Sequence, residues 1–386
     1  MRLTAGFLAD PGLQQVLAML EGAGHRGLVV GGAVRNAALG LPVGDVDLAT
    51  DALPDRVLAL ARDAGLRAVP TGLAHGTVTL ILGGTPFEVT TFRRDVATDG
   101  RHAQVAFTDA LAEDAARRDF TMNALYADAR GQVLDPLGQG LADLRAGRLR
   151  FVGNPQSRIA EDYLRILRFF RFHAHYGRPG QVDAPALAAC AAGRAGLTRI
   201  SPERIGADMR KLLSASDPAE SLGLMAQTGV LEQVLPGADP RAMPALIAAE
   251  GAADTPPDWQ RRLRVLDAPE ATDRLRLSRA EASHQTRLAQ ARAMAPGEAA
   301  FHFGPDIARD GVLLAQAAGR TPPPDWQAAI AAAKPLPIRA ADLAPLAGPA
   351  LGAGLRRAEV AWIASGFTAT PAALIAQALE TPAGNA

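Results

Sequence analysis

The sequence predicts an α+β protein, with a mixed β-sheet and flanking helices at the N-terminus and an all-α region after it. Up to about residue 140, short apolar segments typical of strands alternate with helical periods. From Ala142 onward strand patterns largely vanish, and Ala-, Leu- and Arg-rich helical periods take over, interrupted by prolines. A chain of 386 residues also exceeds the size at which one core keeps growing, so we expect several domains.

The elements of the first domain follow from their periodicity and from Gly and Pro breakers. We predict helices over 12–23, 32–39 and 54–64, and strands over 27–31, 46–50, 77–82 and 87–92. Beyond them the segments 251–257 and 322–324 have the composition of connectors. We therefore divide the chain into a head (1–140), a helical neck (141–215) and a helical body and tail (216–386).

Composition excludes several classes of protein. Hydrophobic residues make up 48% of the chain and charged residues 21%, as in ordinary soluble proteins. The single cysteine, Cys190, cannot form an intramolecular disulfide. The first thirty residues lack the pattern of a secretory signal, and no apolar run approaches the length of a membrane span. We expect a cytoplasmic protein without membrane contact, as a monomer or a weak dimer.

Charge is unevenly distributed although the chain is neutral overall. The first 140 residues carry a net −4, residues 141–211 a net +7 and residues 212–386 a net −3. A basic segment of this kind is the electrostatic signature of a polyanionic partner, and nearly all of its charge is guanidinium, which suits phosphate. An arginine-rich codon bias is an alternative explanation of the arginine content.

A glycine pair stands between a predicted strand and a predicted helix. Gly31 and Gly32 are followed by Arg35 one turn into that helix. Glycines at a helix N-terminus let backbone N–H groups approach a phosphate, and an arginine there can add a charged donor. Taken alone, such a turn is weak support for a phosphate site.

Three acidic residues are candidates for a metal site. Asp45 and Asp47 alternate with apolar residues, so in a strand both carboxylates point to one face. Such carboxylates repel each other unless a cation lies between them, and Mg²⁺ prefers oxygen ligands. Glu88, in the strand 87–92, joins them if the two strands are neighbours. The alternatives are solvated loop aspartates, a helix N-cap, and a Glu that faces solvent on an edge strand.

Five motifs occur along the chain in an order and at spacings that are typical of one family. They are VVGGAVRNAALGLPVGDVDLAT, HGTVTLIL, FEVTTFRRD, EDAARRDFTMNAL and EDYLRILRFFRF. Together they resemble the class II tRNA nucleotidyltransferases, which are the CCA-adding enzymes and bacterial poly(A) polymerases of the polymerase β superfamily. The similarity is close over about residues 27–215 and weaker beyond, so it implies a nucleotidyltransferase head with a helical neck, body and tail.

The resemblance implies roles for the residues of the head. The first motif would hold the triphosphate through Gly31, Gly32 and Arg35. The three carboxylates, Asp45, Asp47 and Glu88, would hold catalytic Mg²⁺ ions.

The second family motif matches Arg118, Asp119 and Asn123. Arg118 and Asp119 would contact the ribose of the incoming nucleotide, since a carboxylate can accept from a 2′-hydroxyl. Without the resemblance, an Arg-Arg-Asp sequence before a short helix is typical of an ordinary charged turn.

The segment that begins at Glu161 is the most informative about the substrate. On a helix, Asp162 and Arg165 lie on one face, which by itself indicates only a surface ion pair. The resemblance implies a protein template, in which Asp162 accepts from the exocyclic amine of cytosine or adenine and Arg165 donates to the ring nitrogen. Uracil and guanine present the reverse pattern and are rejected. Arg168, one turn further, would support the base or the neck.

Two features deviate from the family pattern. The family usually has Asp after the first-motif arginine, whereas this chain has Asn36, so an ion pair from that position to Arg35 is lost. The segment 93–107 contains Gly100 and few apolar residues, which predicts a mobile loop. In the family, the corresponding loop helps to switch nucleotide specificity from C to A, and Asp99 and Arg101 are weak candidates for that role. His102 is predicted to be a solvated loop histidine.

The expected activity is addition of CMP and AMP from CTP and ATP to the 3′ end of tRNA, with the basic neck at the acceptor stem. A poly(A) polymerase, or an enzyme that adds only A or only CC, shares the same head and is the alternative. A catalytically inactive RNA-binding module is a second alternative, but it would be expected to have lost one of the three carboxylates, and all three are present.

Overall fold

The computed structural model describes residues 1–99 and 102–380. The chain forms two compact units, of which the first comprises Met1–Leu212 with Glu220–Val234 and the second Leu213–Ala219 with Leu235–Ala386. The predicted site residues all belong to the first unit. The α+β class predicted from the sequence is confirmed.

Nine strands lie in the first unit within the part of the chain that is described. They are β1 (Gly27–Val30), β2 (Asp47–Thr50), β3 (Arg67–Gly72), β4 (Thr77–Leu82), β5 (Thr85–Thr91), β6 (Arg93–Asp99), β7 (His102–Phe107), β8 (Tyr126–Ala127) and β9 (Val133–Leu134). Seven form one sheet in the order β3-β4-β5-β2-β1-β8-β9, and β6 pairs with β7. The sheet is mixed, because β2 and β5 run parallel while the other neighbours are antiparallel.

The helices of the head and neck begin at local signals. They are α1 (Pro11–Gly22), α2 (Gly32–Ala38), α3 (Pro54–Asp63), α4 (Leu111–Ala116), α5 (Gly140–Ala146), α6 (Pro155–Glu161), α7 (Leu164–Tyr176), α8 (Ala184–Gly193) and α9 (Pro202–Leu213). Asp10, Asn154 and Asp183 cap α1, α6 and α8, each accepting a backbone N–H of the first turn. Pro in the first turn of each of these helices presets the backbone for helix formation.

The remaining helices lie between Ala219 and Leu379. They are α10 (Ala219–Gln227), α11 (Val230–Val234), α12 (Met243–Ala252), α13 (Trp259–Val265), α14 (Ala271–Arg274), α15 (Arg279–Ala291), α16 (Pro296–Phe303), α17 (Pro305–Ala317), α18 (Trp326–Ala332), α19 (Gly348–Ala364) and α20 (Pro371–Leu379). None of the described helices combines the length and apolar composition that a membrane crossing requires.

The core of the head lies against the middle of the sheet. Leu28, Ala49, Phe92 and Tyr126 are buried together, and Phe92 meets Tyr126 edge to face at 6.5 Å between ring centroids. Because β1 and β2 are buried along most of their length, their register is fixed by packing. That register fixes the position of Asp47, the first residue of β2, next to the last residue of β1.

Three local predictions differ from the structure. β2 begins at Asp47, so Asp45 lies before the strand. The predicted helix is interrupted at Asp162, whose backbone is extended (φ −154°, ψ 108°). Asp162 ends α6, and Arg165 belongs to α7, so the two residues do not share one helix. The segment 93–107, predicted as a loop, contains the antiparallel strands β6 and β7, which pair at six positions although their residues show no clear apolar alternation. Gly100 and Arg101 lie outside the described residues.

Candidate active site

A glycine turn connects β1 to α2 at one end of the sheet. Gly31 has φ +70° and ψ −122°, a conformation that non-glycine residues avoid, and it directly precedes the first residue of α2, Gly32. The Gly31 amide donates to the carbonyl of Leu125 at 3.0 Å. A Cβ atom at Gly31 would lie 3.6 Å from Nη1 of Arg118, so that arginine lies directly over the turn.

The three candidate carboxylates lie next to this turn. Asp47 on β2 and Glu88 on β5 are direct partners in the parallel register, so their side chains leave the same face of the sheet. Asp47 is also the register partner of Val30, the residue before Gly31. Asp45 precedes the strand by two residues, and all three acids are exposed.

The charge at Asp47 reflects this arrangement. Partial loss of hydration is the main cause that raises the pKa of Asp47 above its ordinary value, Arg118 opposes the shift, and the charge of Asp45 adds to it. No side chain in the described residues donates a hydrogen bond to Asp45, Asp47 or Glu88. Three carboxylates that lack protein donors are chemically suited to a hard divalent cation.

The carboxylates do not form a closed cage. Within 1–99 and 102–380, no three His, Cys, Asp or Glu side chains converge as closely as the ligands of one ion. Mutual repulsion, which contributes to the raised pKa of Asp47, works against a closer approach of these anions. The donor set and the strand register fit a metal site, and the side chains would have to turn toward the ion.

Arg118 is held over the turn by two residues that the sequence analysis did not single out. Its Nε atom donates to the hydroxyl of Tyr126 at 3.0 Å and Nη2 donates to Asp114 at 3.1 Å, while Tyr126 donates to the same carboxylate at 2.6 Å. Asp114 is buried and also pairs with Arg117. An acid three and four residues before a pair of arginines is a signal that could have identified Asp114.

A second hydrogen-bonded chain joins four predicted residues. Asp119 accepts from Nε of Arg168 at 2.8 Å and from the amide of Asn123 at 3.0 Å, and the oxygen of Asn123 accepts from Nη1 of Arg35 at 2.5 Å. Burial alone would raise the pKa of Asp119, but Arg168 and Asn123 outweigh it and hold the pKa below its ordinary value. The chain links the head to α7, which carries Arg168.

Arg35 points away from solvent. Its side chain is 7% exposed, donates to the hydroxyl of Tyr176 at 2.8 Å and stacks on the Tyr176 ring at 4.1 Å. The side-chain oxygen of Asn36 accepts from Nε and Nη2 of Arg35 at 3.1 and 2.9 Å. Asn36 therefore retains the acceptor role without the charge of an aspartate. The guanidinium is occupied by protein acceptors, so it contacts no open phosphate position in this conformation.

The two candidate template residues are held by different neighbours. Asp162 accepts from the Leu164 amide at 3.0 Å and from Nη2 of Arg204 at 2.7 Å. Arg165 pairs with Glu161 and donates to the carbonyl of Arg158 at 2.8 Å. The ion pair between Asp162 and Arg165 that helical spacing would suggest is absent from the described contacts, and Arg204 was not anticipated.

A polar cleft adjoins this region. It has a volume of about 370 Å³ and is lined by Arg94, Glu113, Ala116, Arg117, Arg158 and Glu161. Arg158 pairs with Glu161 at 2.7 Å and Arg94 lies 3.9 Å from Glu113, so the cleft wall carries charges of both signs. The cleft thus connects the predicted template segment with the helix that carries Asp114.

Two parts of the chain match known protein-family models. Residues 28–150 match the family model described as "Poly A polymerase head domain", and residues 181–241 match the model described as "Probable RNA and SrmB- binding site of polymerase A". The first match shows that residues 28–150 are similar to a polymerase head domain.

Two curated relatives are similar to this chain over more than half of its length. The chain is 40% identical over 229 residues to the mitochondrial CCA tRNA nucleotidyltransferase 1 of Mus musculus, covering 59% of this chain and 52% of the relative. It is 41% identical over 232 residues to the CCA-adding enzyme of Geobacillus thermodenitrificans, covering 59% and 55%. The chain thus spans about half the length of the curated relatives it matches. Over the matched residues the chain resembles the CCA tRNA nucleotidyltransferases and poly(A) polymerases, as its motifs predict.

A solved structure extends the likeness beyond the head. The CCA-adding enzyme of Bacillus stearothermophilus in complex with CTP superposes with a TM-score of 0.67 at 28% identity, covering 91% of this chain and 92% of that one. The fold match therefore extends over most of the chain, including much of its helical region.

Proposed function

We propose that this protein adds CMP and AMP, taken from CTP and ATP, to the 3′ end of tRNA with release of pyrophosphate. The observation that carries the proposal is the register pairing of Asp47 with Glu88 beside the Gly31 turn, in a chain that resembles this family. The 3′-hydroxyl of the tRNA attacks the α-phosphate, and the bond to pyrophosphate breaks in line with it.

Asp45, Asp47 and Glu88 are the proposed ligands of Mg²⁺. The support is their oxygen chemistry, the shared face of Asp47 and Glu88, and the absence of hydrogen-bond donors to the three carboxylates among the described residues. When bound, the divalent ions would activate the attacking hydroxyl and neutralise the leaving pyrophosphate. The family and the site favour a divalent cation, and oxygen-only ligands favour Mg²⁺ over softer metals.

The remaining residues of the head would position the nucleotide. Gly32 presents its backbone N–H at the start of α2, where a phosphate is stabilised, while Gly31, whose own amide is bonded to Leu125, provides the turn. Arg118 supplies positive charge next to this turn and next to Asp47. Asp119 and Asn123 would contact the ribose. Arg35, whose N–H donors are already bonded to protein acceptors, would act on the triphosphate only after rearrangement, and its contacts favour a role in holding the head to α7.

Asp162 and Arg165 are the proposed protein template for the base. A carboxylate and a guanidinium match the donor and acceptor that cytosine and adenine share, and they mismatch uracil and guanine. Glu161 holds Arg165, so it orients the donor half of the template. Arg168, bound to Asp119, would connect the template helix to the ribose site.

The proposed partner is tRNA, gripped through phosphate by the basic segment 141–211. The division into a head (1–140), a neck (141–215) and a body with tail (216–386) is also part of the proposal. The head would carry out catalysis, the neck would contact the acceptor stem, and the body and tail would bind the rest of the tRNA. A cytoplasmic location and a monomeric or weakly dimeric state also remain predictions.

A poly(A) polymerase, or an enzyme limited to A or to CC, is the second candidate, because the matched head-domain model carries the poly(A) polymerase description. The net −3 charge of residues 212–386 favours CCA addition, since a processive polymerase benefits from a basic tail.

The deciding experiment offers single nucleotides to defined ends. Purified protein with Mg²⁺ is incubated with tRNA transcripts that end before CCA, after C, or after CC. The expected result is C, C and then A, after which addition stops. Long A tails would assign the poly(A) polymerase activity instead, and no product with any transcript would reject the proposal.

A further inference from the structure

The segment that carries the first metal-site aspartate has few anchors. Residues 41–46 follow α2 and precede β2, and they form no helix or strand. The amide of Leu41 donates to the carbonyl of Asn36 at 2.9 Å. Apart from the strand ladder, the described residues make one hydrogen bond to the stretch 42–45, and it runs from the side-chain amide of Asn36 to the carbonyl of Pro42 at 2.8 Å.

The orientation of the Asn36 amide is fixed by its surroundings. Its oxygen accepts two N–H groups of Arg35, and its nitrogen faces a carbonyl. The flipped amide would oppose donor to donor and acceptor to acceptor, so only one assignment satisfies the network. Asn36 is thus used as an acceptor on one side and as a donor on the other.

Arg35 is itself immobilised, which makes Asn36 a firm support. Its guanidinium is buried, stacked on Tyr176, and hydrogen-bonded to Tyr176 and Asn123. The Asn36 oxygen therefore meets a fixed pair of donors, and its nitrogen is aimed at Pro42, three residues before Asp45.

We propose that Asn36 is a positioning residue that ties the segment 41–46 to Arg35 and so holds Asp45 beside Asp47 and Glu88 for the divalent cation. This inference deepens the metal site assigned under the proposed function and rests on it. The donor half of the asparagine is the essential part, because an aspartate could serve Arg35 equally well but could not donate to Pro42.

Two substitutions separate the two halves of the contact. Asn36→Asp keeps the acceptor for Arg35 but places a carboxylate oxygen against the Pro42 carbonyl. Asn36→Leu has similar volume and lacks both contacts. Asn154→Asp is the matched control, because Asn154 caps α6 as an acceptor and aspartate caps equally well.

The readouts are amide hydrogen exchange and Mn²⁺ affinity, both measured without nucleotide or tRNA. Mn²⁺ shares the oxygen preference of Mg²⁺ and is detectable by its paramagnetism. Losing one net hydrogen bond corresponds to roughly three- to tenfold in an equilibrium. We expect the amide of Leu41, which is bonded to the Asn36 carbonyl, to exchange about five- to tenfold faster in both Asn36 variants, and Mn²⁺ to bind correspondingly more weakly.

The aspartate variant is the stringent case, because its added negative charge by itself favours a cation. Faster exchange and weaker Mn²⁺ binding in Asn36→Asp support the tether. Wild-type exchange and affinity in Asn36→Asp overturn it, whether or not Asn36→Leu is impaired, since the Arg35 contact would then suffice. Because no nucleotide transfer is measured, a wild-type protein inactive on tRNA would reject the proposed function without changing these readings.

Discussion

Arg204 on α9 donates a hydrogen bond to Asp162 at 2.7 Å, so the acceptor half of the proposed template is held by a residue 42 positions away in the sequence. The donor half, Arg165, is held separately by Glu161. Two independent supports allow the two halves to be tested one at a time.

Asp162→Ala should retain tRNA binding and lose the discrimination of CTP and ATP against UTP. The carboxylate is the group that opposes the O4 carbonyl of uracil, so its removal takes away an unfavourable acceptor–acceptor pair. The measurement is the ratio of kcat/KM for CTP to that for UTP, with tRNA affinity measured in parallel. An unchanged ratio would remove Asp162 from the template.

Arg204→Ala should lower kcat/KM for CTP and ATP together by about fivefold. Both side chains of the Arg204–Asp162 pair are partly exposed, 34% and 26%, so screening limits the contribution to about 1 kcal/mol. Arg204→Lys should recover part of the loss. Arg241→Ala, which removes an exposed pair with Asp239 in the second unit, is the matched control and should leave kinetics unchanged. A loss confined to one nucleotide would contradict a common orienting role.

Asp47→Asn should abolish nucleotide transfer, by a factor of about 10³ or more, while the fold is retained or slightly stabilised. The loss follows from removal of a proposed metal ligand. The gain in stability follows from the raised pKa of Asp47, which means that the folded state disfavours its charge. Activity and melting temperature are compared with Asp55→Asn, an exposed first-turn residue of α3. A strongly reduced melting temperature in Asp47→Asn would contradict the assignment of the carboxylate to function.

The strands and helices around the glycine turn were predicted to within two residues, because the periodicity of β1 and α2 and the glycine at position 31 are local signals. The pairing of Asp47 with Glu88 was stated only conditionally. Nothing in the sequence dictates that β5 lies parallel to β2 across 41 positions. The hairpin of β6 and β7 was missed because its short strands lack a clear apolar alternation.

The supports of the site were harder to predict than the site itself. Tyr126 and Arg204 act through contacts with residues distant in the chain, which a sequence pattern does not encode, whereas the spacing of Asp114 to Arg117 and Arg118 was a local signal. The helix break at Asp162 was missed for a related reason, since the residues on both sides of it favour helix formation and a tertiary ion pair holds the extended residue.

Asp114→Asn should cost about 3 kcal/mol of stability at pH 7, and the cost should shrink in acid. Burial alone would raise the pKa of Asp114, but Arg118, Arg117 and Tyr126 outweigh it and lower the pKa below 3.8. A depressed pKa stabilises the fold above the unfolded value and the stabilisation is lost as pH falls through the folded value. The magnitude is that of a broken buried pair.

Hydrogen exchange of the β1 and β8 amides in the wild type and Asp114→Asn, followed from pH 7 to pH 3, measures this difference. The difference in the free energy of unfolding between the two proteins should narrow below about pH 4. A gap that stays constant over the whole range would show that Asp114 contributes through shape and not through charge.

The second unit contains a buried charge network that should dominate its stability. Arg261 and Arg262 are 2% and 1% exposed, and both donate to Glu250, Arg261 at 2.9 Å through Nε and Arg262 at 2.8 Å through Nη2. Arg261 also donates to Asp310 at 2.6 Å. The two cations and two anions balance, so the network is neutral as a whole.

Glu250→Gln should destabilise the second unit by about 3 to 5 kcal/mol, because it leaves an uncompensated positive charge and mismatched donors in the interior. All three tryptophans of the chain, Trp259, Trp326 and Trp362, belong to this unit, so their fluorescence in a urea titration reports its unfolding. Glu270→Gln is the matched control: its i, i+4 pair with Arg274 is exposed, and its removal should change stability by only a few tenths of a kcal/mol. Equal effects of the two substitutions would mean that the buried charges are solvated or rearranged, whereas a large and selective loss in Glu250→Gln identifies the network as the anchor of α12 and α13.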